Sequence, residues 1–254
     1  MNMKKSIITY ASPKDPISEA FRNMRTNILY SDIDEKMQVL TVTSADKAEG
    51  KSTILSNYAV ALAQSGRRVI LIDGDLRRPR LQEIFGTRNQ PGLTNVLIGE
   101  YELSKVIRTT KVANLHLITA GRIPPNPAEI IGSRQMAATI NTLKSAYDCV
   151  LIDAPPLGMF TDAAALVGIT DGFIVVAALG VTEKEELKLV LDNLANVGGK
   201  VIGVVANNEP MTKRKSYYYN DYYDYRKESA GISKKPFSDR LVKMLTRKKH
   251  SHKR

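Results

Sequence analysis

The chain has 254 residues, 43% of them hydrophobic and 25% charged, which is enough for one globular domain with a buried core. Its single cysteine, Cys149, excludes a disulfide framework or a cysteine-rich metal site within one chain. The net charge of +11 is concentrated at one end, because residues 1–210 carry 23 Lys and Arg against 22 Asp and Glu, whereas residues 211–254 carry 14 against 4. A neutral core with a basic tail indicates attraction to anionic partners and argues against sequence-specific recognition of nucleic acid.

The first predicted element in chain order is an amphipathic helix, Pro16–Tyr30, in which apolar residues recur at helical spacing. Glu19, Arg22 and Arg25 lie three residues apart on one face of this helix. On the residues alone, they are interpreted as a solvated polar face with a weak intrahelical ion pair.

From Val39 onwards, short apolar runs alternate with helical patterns, which is typical of βαβ units and a parallel sheet. The predicted buried strands are Val39–Thr43, Val69–Asp73, Leu115–Thr119, Cys149–Asp153, Gly172–Ala177 and Val201–Ala206. The predicted helices between them are Ser52–Gln64, Met136–Ala146, Asp162–Val167 and Lys184–Asn196. The sequence therefore predicts an α/β fold with a doubly wound, mostly parallel sheet.

The strongest local motif, Ala45–Ser52, follows the first predicted strand and opens the next predicted helix. It has the spacing of a Walker A phosphate-binding loop (P-loop), with Ala45 in place of the usual first glycine. In such a loop, backbone N–H groups surround the phosphates, Lys51 reaches the β- and γ-phosphate oxygens, and the Ser52 hydroxyl binds Mg²⁺. The predicted nucleotide-binding residues here are Ala45, Asp46, Lys47, Ala48, Glu49, Gly50, Lys51, Ser52 and Thr53.

Three aspartates follow buried strands in the same region. Asp73 and Asp75 end one strand, and Asp153 ends another. A single aspartate at such a position is often only a turn former or helix cap. Because ligands of doubly wound sheets bind at the carboxyl ends of the strands, three aspartates beside a P-loop indicate a site for Mg²⁺ and phosphate. The sequence thus predicts an ATPase of the P-loop class that binds ATP and Mg²⁺.

The composition changes after Asn208, and the segment that follows is rich in tyrosine and charged residues but poor in aliphatic ones. We predict that it is flexible and lies outside the folded core. Six of the eleven tyrosines of the chain fall within it: Tyr217, Tyr218, Tyr219, Tyr222, Tyr223 and Tyr225. Such a segment suits either a stacking strip for single-stranded nucleic acid or a set of tethered substrates for a nearby active site.

These motifs together resemble the bacterial tyrosine kinases, the cytoplasmic kinases of capsule and exopolysaccharide synthesis. Asp73-Gly-Asp75, followed by Leu-Arg-Arg, resembles the second Walker motif of that family, and Leu151-Ile-Asp153-Ala-Pro-Pro resembles its Walker B motif. The segment Thr119–Glu129, the tyrosine-rich end and the E-x-x-R-x-x-R pattern that starts at Glu19 are similar to further family features.

The resemblance implies an ATP-dependent protein tyrosine kinase of the MinD/ParA-like fold type that phosphorylates its own tyrosine cluster. It implies that Asp73 is the proton acceptor and that Lys51 and Asp75 take part in catalysis. The Mg²⁺ ligands are expected to be Ser52, Asp75 and Asp153, directly or through water, and Asn207 is expected to contact the adenine. The six clustered tyrosines are the expected phosphoacceptors.

The resemblance also implies partners. Glu19, Arg22 and Arg25 become an oligomerisation motif for a ring-like homo-oligomer, for which an octamer is one candidate size. A separate transmembrane activator of the polysaccharide copolymerase type, a cognate tyrosine phosphatase and protein tyrosine substrates are expected. No apolar run spans a bilayer, so we expect a cytoplasmic protein that reaches the membrane through its partner. The expected regions are 1–35 for oligomerisation, 36–210 for the kinase core and 211–254 for the tail.

The main alternative is a positioning ATPase of the MinD/ParA type, which shares the fold. That class carries a characteristic lysine five residues before the P-loop lysine. Asp46 occupies this position, and Lys47 comes one residue later, which argues against the alternative.

Overall fold

The computed structural model describes residues 7–30, 37–158 and 163–209. Its strands are β1 Val39–Ser44, β2 Val69–Asp73, β3 Arg108–Thr109, β4 Leu115–Ile118, β5 Cys149–Asp153, β6 Gly172–Ala178 and β7 Val201–Asn207. Its α-helices are α1 Ile8–Ala11, α2 Pro16–Tyr30, α3 Lys51–Ala63, α4 Leu81–Phe85, α5 Leu93–Leu97, α6 Leu103–Val106, α7 Pro127–Ile131, α8 Arg134–Ala146 and α9 Lys184–Asn196. A 3₁₀ helix covers Ala164–Ile169.

The strands form one seven-stranded sheet in the order β3-β4-β2-β5-β1-β6-β7. All pairings are parallel except that of β3 with β4. The predicted fold class, an α/β protein with a doubly wound and mostly parallel sheet, is confirmed. Because β1, β2 and β5 are neighbours, their carboxyl ends meet at one edge of the sheet.

The central strands of the sheet are buried on both faces. Alternate residues of the central strands belong to two separate apolar clusters, as in Leu71 and Ile72 of β2. The second cluster also contains much of α3, whose sequence is hydrophobic on all sides and whose residues from Ile54 to Ala63 are buried. Helix α3 is therefore a core helix, and this fixes the direction in which its N-terminus points.

The N-terminal helices cover α3 from outside. The Thr9 amide and hydroxyl both donate to Asn57 Oδ1 of α3, at 3.0 and 2.9 Å. The Phe21 side chain of α2 is buried in the same apolar cluster as α3. Helix α2 agrees in its bounds with the amphipathic helix expected from the sequence.

The six strands expected from the sequence are all present, with ends that differ by no more than one residue. The expectation of burial is wrong for β7, because this strand lies at the edge of the sheet and Val204 is 44% exposed. The helix expected from Asp162 is instead the short 3₁₀ helix, and its first expected residue lies outside the described part of the chain. Tight helices of this kind are common in short connections.

Candidate active site

The P-loop joins β1 to α3. Gly50 occupies the N-cap position of α3 with a φ of 89°. A Cβ atom there would lie 2.3 Å from Asn207 Nδ2, so only glycine fits both the backbone conformation and the space. Ala48 is the only other residue of the loop with a positive φ, at 62°. The Ala45 backbone has no such conformation, and a side chain is therefore tolerated where most P-loops have glycine.

Lys51 lies among buried carboxylates at the start of α3. Its Nζ atom is 2.9 Å from Asp153 Oδ1 and 3.4 Å from Asp75 Oδ2. Burial lowers the pKa of Lys51, but the attraction of Asp153 and Asp75 outweighs this effect and raises the pKa above its usual value. The lysine is consequently charged and held by two of the three aspartates that the sequence predicts for the site.

Asp75 holds the loop that follows β2. Its Oδ1 atom accepts the backbone N–H of Arg78 at 2.9 Å and that of Arg77 at 3.3 Å. Its other oxygen faces Lys51. Asp75 thus connects the P-loop lysine with a basic loop, and Arg78 of this loop lines the same cavity as Lys51.

Asp73 lies deeper, with no exposed surface. Its Oδ2 atom accepts the backbone N–H groups of Arg80 at 3.1 Å and of Leu81 at 3.0 Å, at the start of α4. Asp73 pairs with Asp153 in the parallel register of β2 and β5. Burial, and next the nearby Asp153, raise the pKa of Asp73 to about 8, although the Leu81 N–H and Lys51 oppose this.

The carboxylates of this site have oxygen atoms that are available to bind a cation. Asp73 Oδ1 and Asp153 Oδ2 are buried and have no hydrogen-bond partner. Burial raises the pKa of Asp153, and the nearby Lys51 and Ser52 side chains oppose this effect. Within the described ranges, no three His, Cys, Asp or Glu side chains are arranged to hold a metal ion by themselves. The residues fit Mg²⁺, which prefers octahedral oxygen ligands and usually keeps several waters and phosphate oxygens in its shell.

Lys51, Ser52 and Asp75 line a cavity of about 640 Å³, a volume suited to a nucleotide. It is lined by Ser44, Asp46, Lys47, Ala48, Glu49, Gly50, Lys51, Ser52, Thr53, Asp75, Arg78, Pro79, Arg80, Glu83, Ile84 and Pro156. All predicted P-loop residues except the buried Ala45 are in this lining, as is Asp75. The lining does not include Asp73, Asp153 or Asn207. The two aspartates therefore lie behind the surface of the cavity.

Sequence reasoning missed the far wall of the cavity, which the segment from Arg78 to Ile84 provides. Three arginines, Arg77, Arg78 and Arg80, lie within five residues of Asp75 in the sequence and could have indicated it. The expected adenine contact, Asn207, donates from Nδ2 to the Glu49 carbonyl oxygen at 2.8 Å. This contact supports the P-loop, and adenine recognition by Asn207 stays a prediction.

The predicted oligomerisation motif makes contacts within its own chain. Arg22 forms a 2.6 Å ion pair with Glu19 and donates to the Pro13 carbonyl oxygen at 2.9 Å. Arg25 Nη1 donates to the Ala61 carbonyl oxygen, also at 2.9 Å, near the C-terminus of α3. The six predicted phosphoacceptor tyrosines lie outside the described residues.

A P-loop, two strand-end aspartates around its lysine and a mostly parallel sheet define a P-loop NTPase of the α/β class. A family model described as an AAA domain matches residues 37–201. Among related sequences, CapB of Staphylococcus aureus is 40% identical over 227 residues, which cover 88% of this chain and 99% of CapB. Tyrosine-protein kinase YwqD of Bacillus subtilis is 37% identical over 217 residues, covering 85% and 92% of the two chains.

Among solved structures, the chimerical protein CapA2B2 superposes with a TM-score of 0.79 at 38% identity, covering 81% of this chain and 91% of that one. The chain belongs to the family of bacterial tyrosine-protein kinases. It matches CapB and YwqD over nearly their whole length. In the described part of the chain, no helix is sufficiently long and apolar for a transmembrane span.

Proposed function

We propose that this chain is an ATP-dependent protein tyrosine kinase that phosphorylates its own tail tyrosines and regulates capsule or exopolysaccharide synthesis. The observation that carries the proposal is the cavity where the P-loop lysine, Lys51, meets Asp75 and Asp153. Membership of the tyrosine kinase family supports tyrosine as the acceptor.

The nucleotide is expected to bind with its phosphates on the P-loop backbone and the N-terminus of α3, whose unpaired N–H groups favour anions. Ser52, Asp75 and Asp153 would hold Mg²⁺, directly or through water. When bound, the ion neutralises charge that develops on the phosphates. Lys51, which lies 2.9 Å from Asp153 in the unliganded protein, would instead bind the β- and γ-phosphate oxygens, and the Asp153 carboxylate would then be available to the metal.

The candidate proton acceptors are Asp73, the last residue of β2, and Asp75, two residues later. A tyrosine hydroxyl has a pKa near 10, so its attack at neutral pH benefits from a carboxylate that accepts the proton. Asp75 already lines the cavity. The role of base that the family resemblance gives to Asp73 requires its unpartnered Oδ1 atom to become accessible from the cavity and the carboxyl group to lose its proton.

The tail supplies the acceptors. Six tyrosines lie between residues 217 and 225, within a segment attached directly to the domain. Tethering gives them a high effective concentration at the active site of the same or a neighbouring subunit. A ring-like homo-oligomer, an octamer being one candidate size, would bring neighbouring tails to each site. A transmembrane activator of the polysaccharide copolymerase type would place the kinase at the membrane, and a cognate tyrosine phosphatase would reverse the modification.

The decisive experiment is incubation with labelled ATP in the presence and absence of the membrane activator, followed by phosphosite mapping. We expect phosphotyrosine at residues 217–225 of the intact chain. Lys51→Met should abolish it, because the phosphates lose their lysine. A variant in which the six tail tyrosines are Phe should still bind nucleotide but lose the tail signal.

Phosphate released only into water, with no phosphotyrosine even when the activator is present, would contradict the kinase proposal. That result would favour the positioning ATPase instead. Comparing Asp73→Asn with Asp75→Asn in the same assay separates the two candidate bases. The variant that removes the base should lower kcat more strongly than it lowers nucleotide affinity.

A further inference from the structure

The P-loop contains a buried carboxylate that the proposed reaction does not use. Glu49 is only 2% exposed. Its Oε2 atom accepts the backbone N–H of Asp46 at 3.0 Å, across the turn of the P-loop. Its Oε1 atom accepts the hydroxyl of Thr182. Both carboxylate oxygens are therefore occupied by donors of the protein itself.

Thr182 belongs to the loop between β6 and α9. Its Oγ1 atom also accepts the backbone N–H of Ala178, the last residue of β6, at 2.8 Å. β6 is the parallel neighbour of β1, and Ser44, which immediately precedes the P-loop, pairs with Val176. The Thr182 hydroxyl thus links the end of β6 to the interior of the P-loop.

A second contact reaches the same residue from β7, where the Asn207 amide donates to the Glu49 carbonyl oxygen. Between these contacts, Ala48 holds a left-handed backbone with a φ of 62°. Such a conformation is unfavourable for alanine and persists only where the surrounding structure fixes it. The contacts at Glu49 and at the Asp46 amide fix the loop on both sides of Ala48.

We infer that Glu49 and Thr182 are positioning residues, whose contact holds the P-loop of the unliganded protein in the shape that binds phosphate. This inference rests on the proposed function in so far as the loop binds Mg-nucleotide. A loop that already has its binding shape does not consume binding energy in becoming ordered. Loss of the contact between Glu49 and Thr182 therefore lowers the affinity for the nucleotide. The loop that follows β6 is then a determinant of nucleotide affinity.

The test is a titration of the full chain with a fluorescent ADP analogue in the presence of Mg²⁺. Thr182→Val keeps the shape of the side chain but removes the hydroxyl. Because the variant leaves one oxygen of the buried Glu49 carboxylate without a donor, we expect an affinity roughly tenfold lower. Thr182→Ser retains the hydroxyl and should restore the affinity of the wild type.

Thr170→Val is the matched control. Thr170 lies just before the other end of β6, and its hydroxyl contacts the buried hydroxyl of Thr41, far from the P-loop along the strand. A purely structural effect should lower thermal stability in both valine variants and leave nucleotide affinity unchanged. Hydrogen exchange in the unliganded protein provides a second measurement, in which residues 45–50 should exchange faster in Thr182→Val alone.

The outcomes are distinguishable. If the wild type binds no Mg-nucleotide, the proposed function fails. If it binds, and Thr182→Val shows the same affinity and P-loop exchange as Thr170→Val, the positioning role is refuted. If Thr182→Val does not fold, the Thr182→Ser variant decides. This variant retains the hydroxyl. If it is stable but binds nucleotide more weakly than the wild type, the hydroxyl is not the cause of the effect.

Discussion

The protonation of Asp73 predicts an unusual pH dependence of stability in the unliganded protein. Its pKa rises from an ordinary value of 3.8 to about 8 in the folded state, mainly because the side chain is completely buried. The folded protein then binds a proton that the unfolded chain releases above about pH 4. Raising the pH through this window should therefore lower the free energy of unfolding.

The magnitude follows from the proton balance. One extra proton on the folded state changes the free energy of unfolding by about 1.4 kcal/mol per pH unit, which amounts to about 2.7 kcal/mol between pH 5 and pH 7. Asp73→Asn removes this term. The Asn oxygen can still accept from the Arg80 and Leu81 amides, and its nitrogen takes the place of the unpartnered Oδ1. As the pH rises from 5 to 7, the free energy of unfolding of the variant should therefore increase relative to that of the wild type by about 2.7 kcal/mol.

The assay is urea unfolding at pH 5, 6 and 7 with a chelator and no nucleotide. Asp148→Asn is the control, because this carboxylate is exposed and its hydrogen bond with Arg68 lowers its pKa. Asp148 is ionised in both states throughout the interval, so its variant should show the same pH slope as the wild type. If the free energies of unfolding of the wild type and Asp73→Asn differ by the same amount at pH 5 and at pH 7, the reasoning is refuted.

Two further predictions concern the ends of α3. Arg25→Ala removes the guanidinium that binds the Ala61 carbonyl oxygen near the C-terminus of this helix, and urea unfolding should show a loss of about 1–2 kcal/mol. Gly50→Ala places a Cβ atom 2.3 Å from Asn207 Nδ2 on a left-handed backbone. It should abolish binding of Mg-nucleotide in a fluorescence titration and cost at least about 1 kcal/mol of stability.

Each of these predictions has a control in the chain. Arg22→Ala removes a partly exposed ion pair on the same helix and an exposed hydrogen bond to the Pro13 carbonyl oxygen, and should cost less than Arg25→Ala. Equal losses would show that the contact with α3 is unimportant. Gly203→Ala adds a Cβ atom to a glycine with no atom within 4 Å of that position and should bind nucleotide normally. Normal binding by Gly50→Ala would contradict the geometry of the P-loop.

The fold could be predicted because the central strands are continuous apolar runs, such as Val69–Asp73, with polar residues at their ends. What the sequence could not show is the position of each strand in the sheet. Val201–Asn207 has the same composition as the buried strands but lies at the edge, and only the order of strands decides this. Helices of four or five residues, such as Leu81–Phe85, are too short to show a helical period.

The candidate site was predictable where its residues are consecutive. The residues of the P-loop and the Asp73–Asp75 pair lie within short motifs, and the known chemistry of phosphate sites assigns them. Thr182 could not be found in this way, because its contact with Glu49 joins segments 133 residues apart. The sequence also could not separate Asp73 from Asp75, since their difference comes from burial and from the amides at the start of α4.

The order of the strands has a consequence for synthesis on the ribosome. β1 carries the P-loop, yet its partners are β5 and β6, and Val39 pairs with Val150. When β1 leaves the exit tunnel, neither neighbour has been translated, so the nascent chain cannot close this part of the sheet until residues near Ala178 are available. Chains that terminate before β6 should therefore lack a formed phosphate loop, however complete their Walker A motif is.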